Sequence, residues 1–501
     1  MLERSRGKLE LEAASCAGVG NSAPKSRIRS VGLASAQGSA KDVRARTSFD
    51  PPSTLPWPEK RWTTSRYCRP AAEAVDLLGA ARWNALARRA LEECFGERLP
   101  ADPPPIVVAS CNGGASDCGA DSWLEAFESG ELLKGTPWQG TPVPVVSASC
   151  ASGLQALYLA QHILAAGTKQ VVVLAADILS PRSQDNFESL HVLSSSPRPP
   201  WRPPAGGFVT GEAAVAILLE QGSHEDDRPW VSGVSLDHDL VAGDGLSRVV
   251  SGQSHPVPGV VLGQGTGPDS IDSLELEALG RWIPREVPVT SALSAFGHTL
   301  GASGVLSLAL AALAHGHLRP IPTGNDAGDS TSDGRPIDHQ LRGDGALILC
   351  RALTGACAAV YLGPFSSSSK QPTESAGVPG PLPECVLPVT RRIAECLASL
   401  RPTRLPDVLI ARLHAPLCPT PSVHVGGRLL PSAILEITPG FLLSLAVRLW
   451  EYTGPSLCLV ANERCDAVVG EWLRALRASG LRPGVVTVSG RGDERSVQWS
   501  T

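Results

Sequence analysis

The chain has 501 residues, 43% of them hydrophobic but only 5% aromatic, with 50 Gly, 43 Pro and one Met. That length accommodates two or three units, and the composition suits a globular core of small residues with many tight turns. A net charge of −5 and a pI near 6.1 exclude a basic nucleic-acid footprint, and no Lys/Arg-rich amphipathic stretch marks a membrane surface.

Residues 1–27 carry Arg4, Arg6, Lys8, Lys25 and Arg27 without hydrophobic periodicity and read as a disordered leader. Short β-branched runs then alternate with Ala/Leu-rich helical patterns: Ile28 to Leu33, Ile106 to Ser110, Val143 to Ser147, Val171 to Ala175 and Ala213 to Leu219. The cadence resumes at Val231 to Leu236, Val260 to Leu262, Val287 to Thr290, Ala346 to Leu349 and Ala358 to Leu362, the signature of an α/β fold built twice. The longest uncharged stretch, Val287 to Leu318, contains Pro288, His298, His315 and His317, so it is expected as buried core rather than a bilayer span. A Pro/Ser/Gly-rich linker over 366–380 sets off a smaller C-terminal unit, 381–501, from residues 28–365. Thirteen Cys lack the paired spacings of a zinc site, and no secretory signal precedes them, which reads as reduced thiols in a cytoplasm.

The duplication is legible residue by residue. Ala151-Ser152-Gly153-Leu154 and Ala302-Ser303-Gly304-Val305 each open a helix that is apolar around most of its circumference, which in a soluble fold means burial on every side. A third echo follows, because Pro455 to Gly480 aligns without gaps on Pro142 to Gly167, and both lead into Val-rich strands. This copy has Glu463 where the first has Cys150.

Cys150 stands where a strand, Val145-Val146, runs through a small-residue turn into a helix. There the helix dipole and unpaired N–H groups would favour thiolate and stabilise charge on a thioester oxygen; the plainer alternative is a buried, inert thiol. Further on stand Gly263-Gln264-Gly265-Thr266-Gly267, an acidic run through Asp272, Glu275 and Glu277, and then Gly297-His298-Thr299-Leu300-Gly301-Ala302-Ser303-Gly304. Gly207-Phe208-Val209-Thr210-Gly211-Glu212-Ala213-Ala214 precedes them.

In this order the segments resemble the β-ketoacyl synthase family: its active-site Cys, its GFVxGEGA strand, its HGTGT loop with an acidic helix, and its GHxxGAxG segment. The resemblance covers roughly residues 28–362. It implies a thiolase-like fold with duplicated βαβαβ layers and buried central helices, plus a smaller α/β half-domain at the C-terminus. It implies Cys150, His298 and Gln264 as catalytic positions, and Thr266, Gly343 and Gly345 as substrate contacts. No resident cofactor or metal is expected, since phosphopantetheine arrives on an acyl-carrier protein. A homodimer or a ketosynthase partner subunit would complete the assembly. Because the family's subunits pair at the strand leading to the nucleophile, the resemblance also implies that the third copy docks on the first unit through Ser456 to Ala461 and buries Leu442, Leu449 and Trp450.

The departures are specific. Gln264 replaces the first histidine, Pro268 the last Thr of the loop, Leu293 a lysine and Ser307 an acid, and the glycine loop is reduced to Arg342-Gly343-Asp344-Gly345-Ala346. Acyl transfer needs one thiol and one imidazole, whereas decarboxylating a malonyl unit needs further donors on the developing enolate. The function implied is acyl transfer or condensation on carrier-protein thioesters in fatty-acid or polyketide-type synthesis. The alternative is a non-extending transferase or an inactive scaffold like a chain-length factor. Asp272 and Glu275 are expected on a solvated or first-turn acidic face, Glu212 on backbone or a neighbouring loop, and Cys350 as packing.

Overall fold

In the computed structural model the described residues are 25–45, 54–56, 66–68, 79–113, 132–194, 200–202, 207–221, 229–252, 256–315, 321–322, 330–338, 340–341, 345–363, 385, 387–414, 424–425, 428–429, 438–490 and 495–501. The expected linker, 366–380, and most of the expected leader lie outside them.

The first copy contributes β1 (Ser26–Ser35), β2 (Ile106–Ala109), β3 (Val145–Val146), β4 (Gln170–Asp177) and β5 (Ala213–Glu220), in the spatial order β3-β2-β4-β5-β1. β2 is parallel to β3 and β4, and β5 is antiparallel to β4 and β1. A bridging strand, β6 (Trp230–Val231), then leads into β7 (Ser235–His238), β8 (Val260–Leu262), β9 (Val289–Thr290), β10 (Ala346–Arg351) and β11 (Ala356–Gly363). These repeat the order as β9-β8-β10-β11-β7 with the same senses. The C-terminal strands β12 (Val408–Leu413), β13 (Ser456–Val460), β14 (Pro483–Ser489) and β15 (Ser496–Ser500) lie as β13-β12-β14-β15. That is the same pattern again, without a counterpart of β1 among the described residues.

Two expectations shift at the strand ends. The run Val231 to Leu236 is split into β6 and β7 across Ser232-Gly233-Val234. Ser26 and Arg27, placed in the leader from sequence, belong to β1, and the buried Arg27 guanidinium lies 4.2 Å from the Trp230 ring centroid.

Six helices position the site: α1 (Gly79–Phe95), α2 (Ser152–Ala165), α3 (Asp269–Trp282), α4 (Ser303–Ala314), α5 (Pro439–Trp450) and α6 (Asp466–Ala478). The apolar helices α2 and α4 pack face to face between the first two copies. Their glycines set the approach: a Cβ on Gly153 would meet Val305 Cγ2 at 2.6 Å, and one on Gly304 would meet Leu154 Cγ at 2.7 Å. α6, the third copy's counterpart, packs one side on α2 and turns Glu471, Arg474 and Arg477 outward.

The third copy docks edge to edge. β13 runs antiparallel to β3 with Leu459 opposite Val146 and Val460 opposite Val145. Ser147 N donates to Cys458 O at 2.9 Å, and Cys458 N donates to Gln155 Oε1 at 3.1 Å. Leu442 and Trp450 are buried, and Leu449 is partly buried against the same core. No helix among the described residues is long and apolar enough to cross a membrane.

Candidate active site

The chain reverses sharply after β3. Ser149 adopts φ 52, a 3-10 turn covers Ser149–Ala151, and α2 starts at Ser152. Leu300, the counterpart of Ser149 in the second copy, repeats this with φ 54 before the turn Leu300–Ala302 and α4. For a side chain with a Cβ, that left-handed conformation costs roughly 1–2 kcal/mol and persists only when the surroundings impose it. In the third copy Asn462, at the same position, relaxes to φ −74. Strain is kept where the two elbows meet and lost where Glu463 replaces the cysteine.

The elbows bring together Cys150 and His298, with Sγ 3.3 Å from Nε2. Nδ1 of His298 accepts the Leu300 N–H at 3.1 Å, so the ring's proton resides on Nε2 and points at the sulfur. Phe208 stacks on the imidazole, ring centroids 4.4 Å apart, and Phe187 stands edge-on to Phe208. Burial holds the imidazole down, to about 4, so it is a neutral donor at ordinary pH.

The helix start does not make the resting thiol acidic, contrary to the expectation from its position. Burial, reinforced by the Asp177 carboxylate, pushes Cys150 up to about 12. Alkylation of Cys150 by iodoacetamide, followed site by site in peptide masses, is therefore expected to rise about tenfold per pH unit between roughly pH 6 and 9. A plateau near neutrality would show a thiolate–imidazolium pair instead.

Asp177, at the end of β4, has no signal in the sequence, yet it ties the site together. Its Oδ1 accepts from Ser110 Oγ at 2.7 Å and from Asn112 N at 3.0 Å, Cys111 N lies 2.9 Å from both oxygens, and Oδ2 accepts from Gly301 N at 2.8 Å. One buried carboxylate thus joins the loop after β2 to the elbow that carries His298. Gly301 takes the place that Cys150 has in the first copy, and a Cβ there would sit 2.8 Å from Asp177 Oδ2.

Asp272 and Glu275 are not a solvated face. Both are buried, because the Pro200-Trp201 segment folds over α3. Glu275 accepts from Gln264 N, Gly265 N and Trp201 Nε1 at 2.9, 3.0 and 2.8 Å, and Asp272 accepts from Gly267 N and Trp201 N at 3.0 Å each. Burial and the neighbouring Glu275 push Asp272 up to about 7. The two acids hold the glycine-rich loop, and with it Gln264, in place.

Gln264 Oε1 accepts from Arg351 N at 2.9 Å, and its Nε2 lies 3.1 Å from Cys350 Sγ. Cys350, read from sequence as packing, in turn donates to the Cys150 carbonyl at 2.9 Å. His298 and Gln264 share the wall of a small cleft with Leu293, Thr299, Ser307 and Leu349. Thr266 is buried and faces Asp272 Oδ1 at 3.4 Å, away from that wall. Gly345 is buried at φ 101, where a Cβ would collide with the Tyr361 hydroxyl at 2.2 Å, so its role is to let β10 and β11 close; Gly343 lies outside the described residues. Glu212 accepts from Leu179 N and pairs with Arg82, as expected of a structural acid.

Comparison with known proteins agrees with this geometry. The Beta-ketoacyl synthase N-terminal domain family matches residues 138–225, and the corresponding C-terminal domain family matches 259–325. A polyketide beta-ketoacyl synthase of Streptomyces cyaneus is 28% identical over 279 residues, covering 50% of this chain and 65% of that protein. The tetracenomycin polyketide synthase ketoacyl synthase alpha subunit of Streptomyces glaucescens is 29% identical over 225 residues, covering 37% of this chain and 50% of its own length. The chain thus spans about half to two thirds of these two relatives.

Among solved structures, a type II polyketide ketosynthase in complex with its acyl-carrier protein superposes with a TM-score of 0.54 at 16% identity, over 68% of this chain and 100% of that one. The PfaC keto synthase–chain length factor superposes with a TM-score of 0.65 at 11% identity, over 93% of this chain and 73% of that one. The fold is thiolase-like, and 93% coverage extends the likeness into the third copy. In its motifs, its duplicated fold and these matches, the chain is similar to the β-ketoacyl synthase family.

Proposed function

We propose that the protein is a condensing-type acyltransferase that takes an acyl group from a carrier-protein thioester onto Cys150, in polyketide-type more than fatty-acid synthesis. The observation that carries this reading is the buried Cys150 Sγ facing the Nε2–H of His298 at 3.3 Å on a strained elbow. In the transfer the Cys150 sulfur bonds to the thioester carbonyl carbon, the carrier's carbon–sulfur bond breaks, and the thiol proton leaves with the departing pantetheine sulfur. No net acid or base is consumed, which suits a neutral thiol beside a neutral imidazole. His298 donates first to the sulfur and then toward the oxygen that gains charge. Gln264 commits one amide hydrogen to Cys350 and retains a second on the cleft wall it shares with His298. Thr266, bonded to Asp272, and Gly345, packed against Tyr361, would support the site from outside the cleft rather than touch the pantetheine.

A 3-oxoacyl-carrier synthase also decarboxylates an extender unit, and here Leu293 and Ser307 line the cleft without an ionisable group. We therefore place acyl loading ahead of condensation. The phosphopantetheine would arrive with the carrier, a reading supported by the solved neighbour that is a ketosynthase in complex with its own acyl-carrier protein. We read 28–365 as the ketosynthase-like unit and 381–501 as a chain-length-factor-like half that stands where a partner subunit would pair. Glu463, exposed at the nucleophile's counterpart, gives that half no acyl acceptor. Carrier-borne substrates would place the protein in the cytoplasm.

The test is incubation with acyl-loaded carrier followed by intact-mass measurement. A mass gain of one acyl group, mapped to Cys150, is expected; no gain would leave only the scaffold reading. Carbon dioxide release from malonyl-carrier would then separate a condensing enzyme from an acyl acceptor.

A further inference from the structure

The last two residues of β10 reach the nucleophile and the amide at once. Arg351 N must donate, so it fixes Oε1 as the Gln264 atom it meets at 2.9 Å, and the amide nitrogen is left facing Cys350 Sγ at 3.1 Å. Cys350 is fully buried and its thiol carries a single hydrogen. With an amide donor on one side, that hydrogen goes to the Cys150 carbonyl, 2.9 Å away and 200 residues distant in sequence. The carbonyl belongs to the turn that begins at the left-handed Ser149, a conformation that the surroundings must hold in place. Rotation of that peptide would swing Cys150 Sγ away from His298.

We propose that Cys350 is a positioning residue, whose thiol clamps the Cys150 carbonyl and orients the Gln264 carboxamide, so that nucleophile and amide keep their relative placement. The proposal deepens the acyl-transfer reading and rests on it for its consequence, although the clamp itself can be tested without any acyl donor. Gln264 then reaches the nucleophile through Cys350 as well as facing the cleft. Cys350 is not placed to react, because its sulfur sits between Gln264 Nε2 and the Cys150 carbonyl, while His298 Nε2 meets Cys150.

Two variants separate a clamp from simple packing. Cys350→Ser keeps one donor and one acceptor, whereas Cys350→Ala removes both and leaves a small gap. A packing role predicts that Ser, a hydroxyl in an apolar core, is the worse replacement in melting temperature and in rate alike. The clamp predicts the opposite order in rate. Cys350→Ser should alkylate at Cys150 with iodoacetamide within about twofold of wild type, and Cys350→Ala about tenfold more slowly, the size expected for one lost hydrogen bond. Single-turnover loading from acyl-carrier should follow the same order, with the carrier concentration at half-maximal rate unchanged. Equal alkylation in Cys350→Ala and wild type, or Cys350→Ser as slow as Cys350→Ala, overturns the proposal. If the wild type loads no acyl group but the alkylation order holds, the clamp stands and the acyl-transfer reading falls.

Discussion

Cys150→Ala is expected to bring acyl loading down to background while the protein stays folded. Only a sulfur is removed, from a side chain that already packs as a small apolar group, and the cost in stability is about 1 kcal/mol, the order found for one buried methylene. The loss in chemistry is complete because neither neighbouring thiol can substitute. Of the three thiols Cys150 is the one that meets His298 Nε2, whereas Cys111 lies near Ser152 Oγ and Cys350 bonds the Cys150 carbonyl. Intact-mass measurement with acyl-carrier, alongside thermal melting, gives the answer. Residual acyl mass mapped to Cys111 or Cys350 would mean that the elbow selects no single thiol. Loss of melting cooperativity would mean that the sulfur has a structural role the burial pattern does not show.

What can be read from the sequence divides along a physical line. Periodicity locates Val260 to Leu262 and the two apolar helices, because strands and buried helices write their environment into consecutive residues. The repeated Ala-Ser-Gly openings reveal the duplication for a similar reason: close helix packing demands glycine at Gly153 and Gly304. Asp177, Glu275 and Cys350 are opaque because their roles depend on partners far along the chain. Asp272 and Glu275 are spaced like any exposed acidic turn. They become buried acceptors only when Trp201, 71 and 74 residues earlier, folds over them. The resting acidity of Cys150 escapes the sequence on the same ground, since a helix start is a local feature whereas burial and the Asp177 charge are tertiary ones. The relaxed Asn462 shows the converse: a copied sequence does not copy strain unless a second elbow imposes it.

Ending the chain near Pro381 is expected to change its association state and lower its melting temperature. β3 has two residues and lies at the edge of the first copy's sheet, and β13 supplies the strand that covers it. Without β13 the backbone of Val145 to Ser147, five to three residues before the nucleophile, loses its outer hydrogen-bond partners, and Gln155 on α2 loses Cys458 N. An uncovered strand edge beside an apolar helix is a template for pairing with another chain. Gly440, at the start of α5, also leaves, and its absent Cβ position is 3.4 Å from Ala148 Cα, so the elbow loses packing as well as pairing. The expected result is aggregation or a new homodimer, with a melting temperature lower by about 5 °C or more, as follows from losing a few kcal/mol in a domain of this size. Sedimentation and thermal melting of the shortened and full chains decide the matter. A homodimer formed through β3 would show that the third copy stands in for a partner subunit, because the first copy then recovers by self-pairing what it lost. Unchanged association and melting would show that the β3–β13 ladder contributes nothing to the core, and that the third copy rests on the first unit without supporting it.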